Sequence, residues 1–235
     1  MLIEIIIFSL IAGVTVFLGG LSSYFFEKTI TNRVVKRKIV HFLTAFVTGI
    51  MLSAVAFVLI PKGMEGLNIG FSVVIFLLGA LTFYYLDSFI EKNSANIPQV
   101  LAMLLDFIPE SIALGALFVY DHNVGVLLAI FIAFQNFPES FNSYIELRNS
   151  HFSKYKSLVI LFCLSFIGLI FSLLGYYLLK DTYEITSALM IFAAGGILYL
   201  IFQDIAPSIR IKNSRFLAMG VNLGFVIGML SEALV

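Results

Sequence analysis

Apolar residues run along this chain in long blocks, and charge is confined to the short breaks between them. A membrane-spanning helix needs about 20 mostly apolar residues. Eight blocks of that kind occur, near 3–26, 39–60, 68–88, 99–120, 124–145, 157–179, 185–206 and 214–234. The breaks carry turn or charge signals, such as Pro61-Lys62-Gly63 and Glu91-Lys92-Asn93, and none has room for a soluble domain. The pattern predicts an all-α integral membrane protein. Residues 1–235 are expected to form one transmembrane domain, a single bundle of eight helices.

Composition supports a bilayer as the solvent. Of 235 residues, 60% are hydrophobic and 12% charged, about half the charged share of a soluble domain. Met1-Leu2-Ile3-Glu4 places no basic stretch before the first apolar block, so that block is expected to persist as a span. Formal net charge is zero, and nothing points to a nucleic-acid partner. The one cysteine, Cys163, lies in an apolar run and can supply neither an internal disulfide nor a Cys-based zinc site.

Charge in the breaks is sided. The odd-numbered breaks and their flanks carry Lys28, Arg33, Lys36, Arg37, Lys38, Lys92, Arg148, Lys154, Lys156, Arg210, Lys212 and Arg215, whereas the even-numbered ones carry only Lys62 and Lys180. Such alternation is the positive-inside pattern. It predicts odd loops in the cytoplasm and both termini outside, in a multi-pass protein of the plasma or inner membrane.

No basic residue falls deep inside a predicted span, but four acids do: Asp106 and Glu110 in span four, Glu139 in span five, Asp204 near the end of span seven. A charge at the centre of a spanning helix costs about 2.5–3.5 kcal/mol even on the lenient insertion scale. Protonation, a cation or a wet cavity must relieve that cost, and each points to protons or metal ions. Asp106 and Glu110 are four residues apart, as are Gln135 and Glu139, so each helix presents two oxygen-bearing side chains on one face. Asn136, three before Glu139, can join them. Pro109 and Pro138 immediately precede the glutamates and free the carbonyls of Leu105 and Phe134. In lipid, such backbone is tolerated where it is buried in protein or lines a cavity. Asp106-Phe107-Ile108-Pro109-Glu110-Ser111 and Gln135-Asn136-Phe137-Pro138-Glu139-Ser140 also resemble one another, and paired Pro-interrupted spans point to a transporter's central site.

These motifs resemble those of the ZIP (Zrt/Irt-like) family of divalent-metal permeases, which carries His-Asn-x-Pro-Glu-Gly-type motifs in spans four and five of eight. Ala194-Gly195-Gly196-Ile197-Leu198-Tyr199 followed by Gln203-Asp204-Ile205-Ala206-Pro207 is similar to the family's glycine-rich turn and acid before a proline. Thr48-Gly49-Ile50-Met51-Leu52-Ser53 in span two also looks familiar. The resemblance implies a divalent cation as transported substrate, no prosthetic group, and movement of one helix group against another, usually carrying metal into the cytoplasm. It implies metal ligands at Asp106, Glu110, Gln135, Glu139, Asn136 and Asp204.

The chain departs from the family's pattern at several of these positions. Asp106 stands where a histidine is usual, Phe107 where an asparagine is, and Ser111 and Ser140 where glycines are. Span six, Leu164-Ser165-Phe166-Ile167-Gly168-Leu169-Ile170, has no acid where many relatives carry a glutamate. A single metal at a time is therefore expected. An all-oxygen ligand set favours Mn²⁺ or Fe²⁺ over Zn²⁺, and Glu110 and Glu139 are the natural proton carriers if protons are coupled.

Alternatives are a proton-coupled organic-cation carrier and a degenerate paralogue that senses metal or no longer transports it. Neither Gly-x-Gly-Asp nor His-Glu-x-x-His occurs, and no enzymatic activity is expected. His41, His122 and His151 read as surface residues, and Asp87 and Glu232 as markers of helix ends. Gly220, Gly224 and Gly228 form a small-residue stripe on span eight, suited to packing within the bundle or to a homodimer.

Overall fold

The computed structural model describes residues 1–30, 32–93, 97–209 and 215–234. Eight helices in it are long and apolar enough to cross a membrane: α1 Leu2–Thr29, α2 Val34–Glu65, α3 Ile69–Lys92, α4 Pro98–Tyr120, α5 His122–Asn149, α6 Lys154–Leu179, α7 Tyr183–Gln203 and α8 Phe216–Ala233. They coincide with the eight apolar blocks, and no strand occurs among the described residues. Polar side chains start several of them. Asn32 accepts from the N–H groups of Val34 and Val35 at 3.0 and 3.3 Å, and Ser153 from that of Lys156 at 3.2 Å. Asp121 alone joins α4 to α5 and accepts from the Val124 N–H at 3.2 Å. The two helices that carry the paired motifs are therefore antiparallel neighbours.

The helices sort into two groups. In one, α1 packs on α5 and α6, and α4 on α5 and α6; in the other, α2 packs on α8 and α3 on α7. Reciprocal glycines bring these pairs together. A Cβ on Gly115 would collide with the backbone carbonyl of Ser172, and one on Gly175 with that of Ile112, which ties α4 to α6. Gly79 and Gly195 do the same for α3 and α7, meeting the carbonyls of Phe192 and Phe76. Close backbone approach through small residues is how helices associate where lipid removes the hydrophobic drive between them. The stripe on α8 is used within the bundle: Gly224 lies against the carbonyl of Phe46 and Gly220 against Phe42 and Ala45, all on α2.

Irregular backbone falls where the motifs did not predict it. α4 and α5 run as unbroken α-helix through Pro109 and Pro138. Instead, α2 contains a π-helical turn at Val55–Leu59, and α7 leads into another at Ile201–Ile205. Each turn is followed two residues later by a proline, Pro61 or Pro207. A proline ring clashes with the carbonyl four residues earlier, here Phe57 or Gln203, and both lie within the widened turn. The π turn lets α2 continue past Pro61 to Glu65, five residues beyond the expected end near 60. A third break, at Ser165–Phe166, divides α6.

Candidate cation site

Asp106 and Glu110 on α4 face Gln135 and Glu139 on α5 in the middle of the bundle. All four are buried, at 2%, 0%, 0% and 5% exposure. The Gln135 amide nitrogen donates to Glu110 Oε2, which joins the two motifs directly. The charges of Asp106, Glu110 and Glu139 lie within electrostatic reach of one another. None of the three has a basic partner among the described residues, whose ion pairs lie elsewhere.

A cavity of about 420 Å³ descends to this point between the two helix groups. Its mouth lies at the odd-loop end, where His41, Glu91, Gln99 and Glu146 line it, and Asp106 and Glu139 line its depth. Glu110 and Gln135 lie one turn beyond, outside the cavity. Past them towards the even loops, Leu114 and Leu117 on α4 and Leu128, Phe131 and Ile132 on α5 are all 0–1% exposed. That end is closed by apolar packing. Lys62 at the end of α2 bridges it further, pairing with Glu65 at 3.0 Å and with Asp121 at 3.1 Å.

Buried side-chain atoms without a hydrogen-bond partner include hydroxyls and Arg148 Nε elsewhere in the bundle, but the carboxylates and amides of α4 and α5 contribute six oxygens. Asp106 Oδ1, Glu110 Oε1, Gln135 Oε1, Asn136 Oδ1, Glu139 Oε2 and Asn142 Oδ1 are all buried, and none has a hydrogen-bond partner. Every one is an oxygen acceptor. An unsatisfied buried polar group costs about 1–3 kcal/mol, and a cluster of carboxylate and amide oxygens is relieved by protons or by a cation.

Among the described residues, no three His, Cys, Asp or Glu side chains converge closely enough to hold a metal ion. The Gln135–Glu110 hydrogen bond occupies one Glu110 oxygen and turns the Gln135 amide nitrogen towards it. Asn136 points towards α1, donating to the Ala12 carbonyl at 3.2 Å, and does not line the cavity. Asp204 sits in the π-helical turn Ile201–Ile205, and its side chain lies outside the described residues. Asp87 does not mark a helix end. It lies within the helix Ile69–Asn93, accepts from the Tyr199 hydroxyl at 3.1 Å and lines the cavity.

Three cavity residues escaped the motif reading. His41 stands at the mouth and accepts from Arg37 Nε at 3.3 Å. Thr44 on α2 and Asn142 on α5 face each other at 3.0 Å. Asn142 was accessible by spacing, since it follows Glu139 by three residues, but it falls outside the Pro-Glu-Ser motif. Thr44 carries no sequence signal, for only the fold brings α2 against α5. No known family model matches the chain, and neither does any curated protein.

Proposed function

We propose that this protein is a divalent-cation transporter of the ZIP type, carrying one metal ion at a time on the oxygens of Asp106, Glu110, Gln135 and Glu139. The observation that carries this is the set of buried, unpartnered oxygens gathered where a one-ended cavity meets α4 and α5. A carrier with alternating access needs a central site open to one side and sealed from the other, as this one is. The division of the helices into two groups, with the cavity between them, suits transport by movement of one group against the other. With the odd loops cytoplasmic by the positive-inside pattern, the cavity faces the cytoplasm and the ion is delivered there.

Carboxylate and amide oxygens with no imidazole or thiolate suit Mn²⁺ or Fe²⁺. The cation takes the place of the Gln135 amide proton at Glu110 and draws the four side chains together. A single ion at a time is supported by the loss of ligands for a second, since Phe107 cannot bind metal and packs, fully buried, against Gly168 on α6.

The test is metal uptake into liposomes containing the purified protein, across Mn²⁺, Fe²⁺, Zn²⁺, Co²⁺ and Cd²⁺, with Glu139→Ala alongside. Uptake that is lost in the variant, with Mn²⁺ or Fe²⁺ leading, is the expected outcome. Folded protein that moves no ion would remove the transport role, and Zn²⁺ alone bound with useful affinity would overturn the oxygen-based selectivity.

A further inference from the structure

One turn along α5 from Glu139, a hydrogen bond between side chains crosses from one helix group to the other. Asn142 Nδ2 donates to Thr44 Oγ1 at 3.0 Å. The Thr44 hydroxyl in turn donates to the Val40 carbonyl at 3.0 Å. A hydroxyl has one proton, and this one is committed to Val40, so Thr44 can only accept from Asn142. That fixes which end of the amide faces α2: the nitrogen must, and the oxygen is turned away from it. The oxygen, Asn142 Oδ1, is buried and has no hydrogen-bond partner. Asn142 shares a helix face with Glu139 through its i, i+3 spacing, and both line the cavity with Asp106. The residues that line the cavity thus include two carboxylates and one amide whose buried carbonyl oxygen is held in a set orientation.

We propose that Asn142 is a further ligand for the divalent cation, its Oδ1 joining Asp106 and Glu139, and that Thr44 is the positioning residue that holds the amide ready. This rests on the metal-transport reading above and extends its ligand set. The carbonyl belongs to the same hard-oxygen class as the carboxylates, and it adds a neutral ligand beside Asp106 and Glu139 in the cavity lining. It also ties the site to α2, in the group that carries none of the Pro-Glu-Ser motif ligands. Displacing Asn142 on cation binding therefore pulls on Thr44.

Thiolate substitution tests ligation directly. Cys163 is exposed, so the full chain is first made Cys163→Ser, and Mn²⁺ and Cd²⁺ affinities are measured by equilibrium titration of the purified protein. Adding Asn142→Cys is expected to weaken Mn²⁺ about tenfold, strengthen Cd²⁺ by at least as much, and produce the ultraviolet charge-transfer band of a cadmium–thiolate bond. A soft sulfur placed on the metal must shift preference this way; one placed beside it does not. Thr44→Val is expected to weaken Mn²⁺ by about tenfold, the low end of the range typical when a ligand's supporting partner is lost, and Thr44→Ser to restore it. An unchanged Mn²⁺-to-Cd²⁺ ratio without the band, in protein whose binding is still abolished by Glu139→Gln, would overturn the assignment of Asn142 while leaving the carboxylate site intact. No binding of either ion by the Cys163→Ser background would overturn the metal reading and this inference with it. Should Asn142→Cys fail to fold, equal affinity in Thr44→Val and the background would overturn the positioning role of Thr44, and Asn142→Gln, which keeps the amide but moves its oxygen by a methylene, then decides ligation. Undiminished Mn²⁺ affinity in that variant counts against it.

Discussion

The ring of Phe107 lies against the backbone of Gly168: a Cβ at Gly168 would come within 2.5 Å of Phe107 Cζ and 3.0 Å of Cε2. Phe107 is fully buried. A bulky aromatic of the span-four motif and a glycine of α6 thus meet at one contact. Large-to-small pairing at one contact preserves core volume. Gly168→Ala is expected to destabilise the protein by about 1–3 kcal/mol through overpacking, read as a lowered unfolding midpoint in detergent. Combining it with Phe107→Leu should recover more than half of that loss. Equal destabilisation in the single and double variants would show that the two positions are not coupled.

The cavity separates the four acidic-motif side chains into two tiers. Asp106 and Glu139 line it, and Glu110 and Gln135 do not. In a Cys163→Ser background, Asp106→Cys is therefore expected to react with a membrane-impermeant thiol reagent supplied from the odd-loop side. Glu110→Cys is expected to react at least tenfold more slowly from the same side. Running both in right-side-out and inside-out vesicles also reports which face of the membrane the cavity meets. Equal rates at the two positions would mean that Glu110 is not sealed behind Asp106.

Element existence was legible because a spanning helix writes itself as an uninterrupted apolar block, and eight blocks gave eight helices. The adjacency of α4 and α5 was legible too, since only a short break separates the apolar blocks near 99–120 and 124–145. What the residues concealed was backbone geometry. Pro109 and Pro138 looked like kinks and are accommodated in regular helix, whereas Pro61 and Pro207 provoke π turns. A proline states that one N–H is missing, but neighbouring packing decides how the freed carbonyl is accommodated. Asn136 shows the same limit: spacing put it near the face of Glu139, and the docking of α1 engages it with Ala12. Thr44 and His41 became visible as cavity residues only once α2 was placed across from α5.

Glu146 extends the role of α5 beyond the motif. Its carboxylate accepts from the Gln99 N–H at 3.0 and 2.9 Å and from the Val100 N–H at 3.3 Å. These are among the first N–H groups of α4, which have no partner within their own helix, and an anion there also complements the helix dipole. Glu146→Ala is expected to cost about 1–3 kcal/mol, measured by denaturant or thermal unfolding. Hydrogen exchange at the start of α4 should rise with it, while exchange near Leu117 stays unchanged. Uniform loss of protection along α4 would assign Glu146 a global role instead of an anchoring one.

The pair between Lys62 and Asp121 closes the even-loop end, and its dependence on acidity has a definite sign. Burial pushes the Asp121 carboxyl up, but the Lys62 ammonium and the Val124 N–H outweigh it and hold the group below the usual carboxylate range. A group whose folded value is depressed stabilises the protein fully above its unfolded value, near pH 3.9, and loses that contribution as pH falls through the folded value. The two side chains are 24% and 35% exposed, so the pair is worth under about 1 kcal/mol. Lys62→Met is accordingly expected to lower the unfolding midpoint slightly and evenly from pH 8 to pH 5. Below about pH 4 the difference from the unsubstituted protein should shrink, because protonated Asp121 no longer attracts the ammonium in either folded or unfolded chain. The same variant should raise thiol reactivity at cysteines introduced near Leu117, since Lys62 holds α2 against the α4–α5 turn across the group boundary. A difference that grows as pH falls would reverse the assigned sign and show that Lys62 acts there through Glu65 or through packing of its aliphatic stem, and unchanged reactivity near Leu117 would leave the apolar packing of α4 and α5 as the seal.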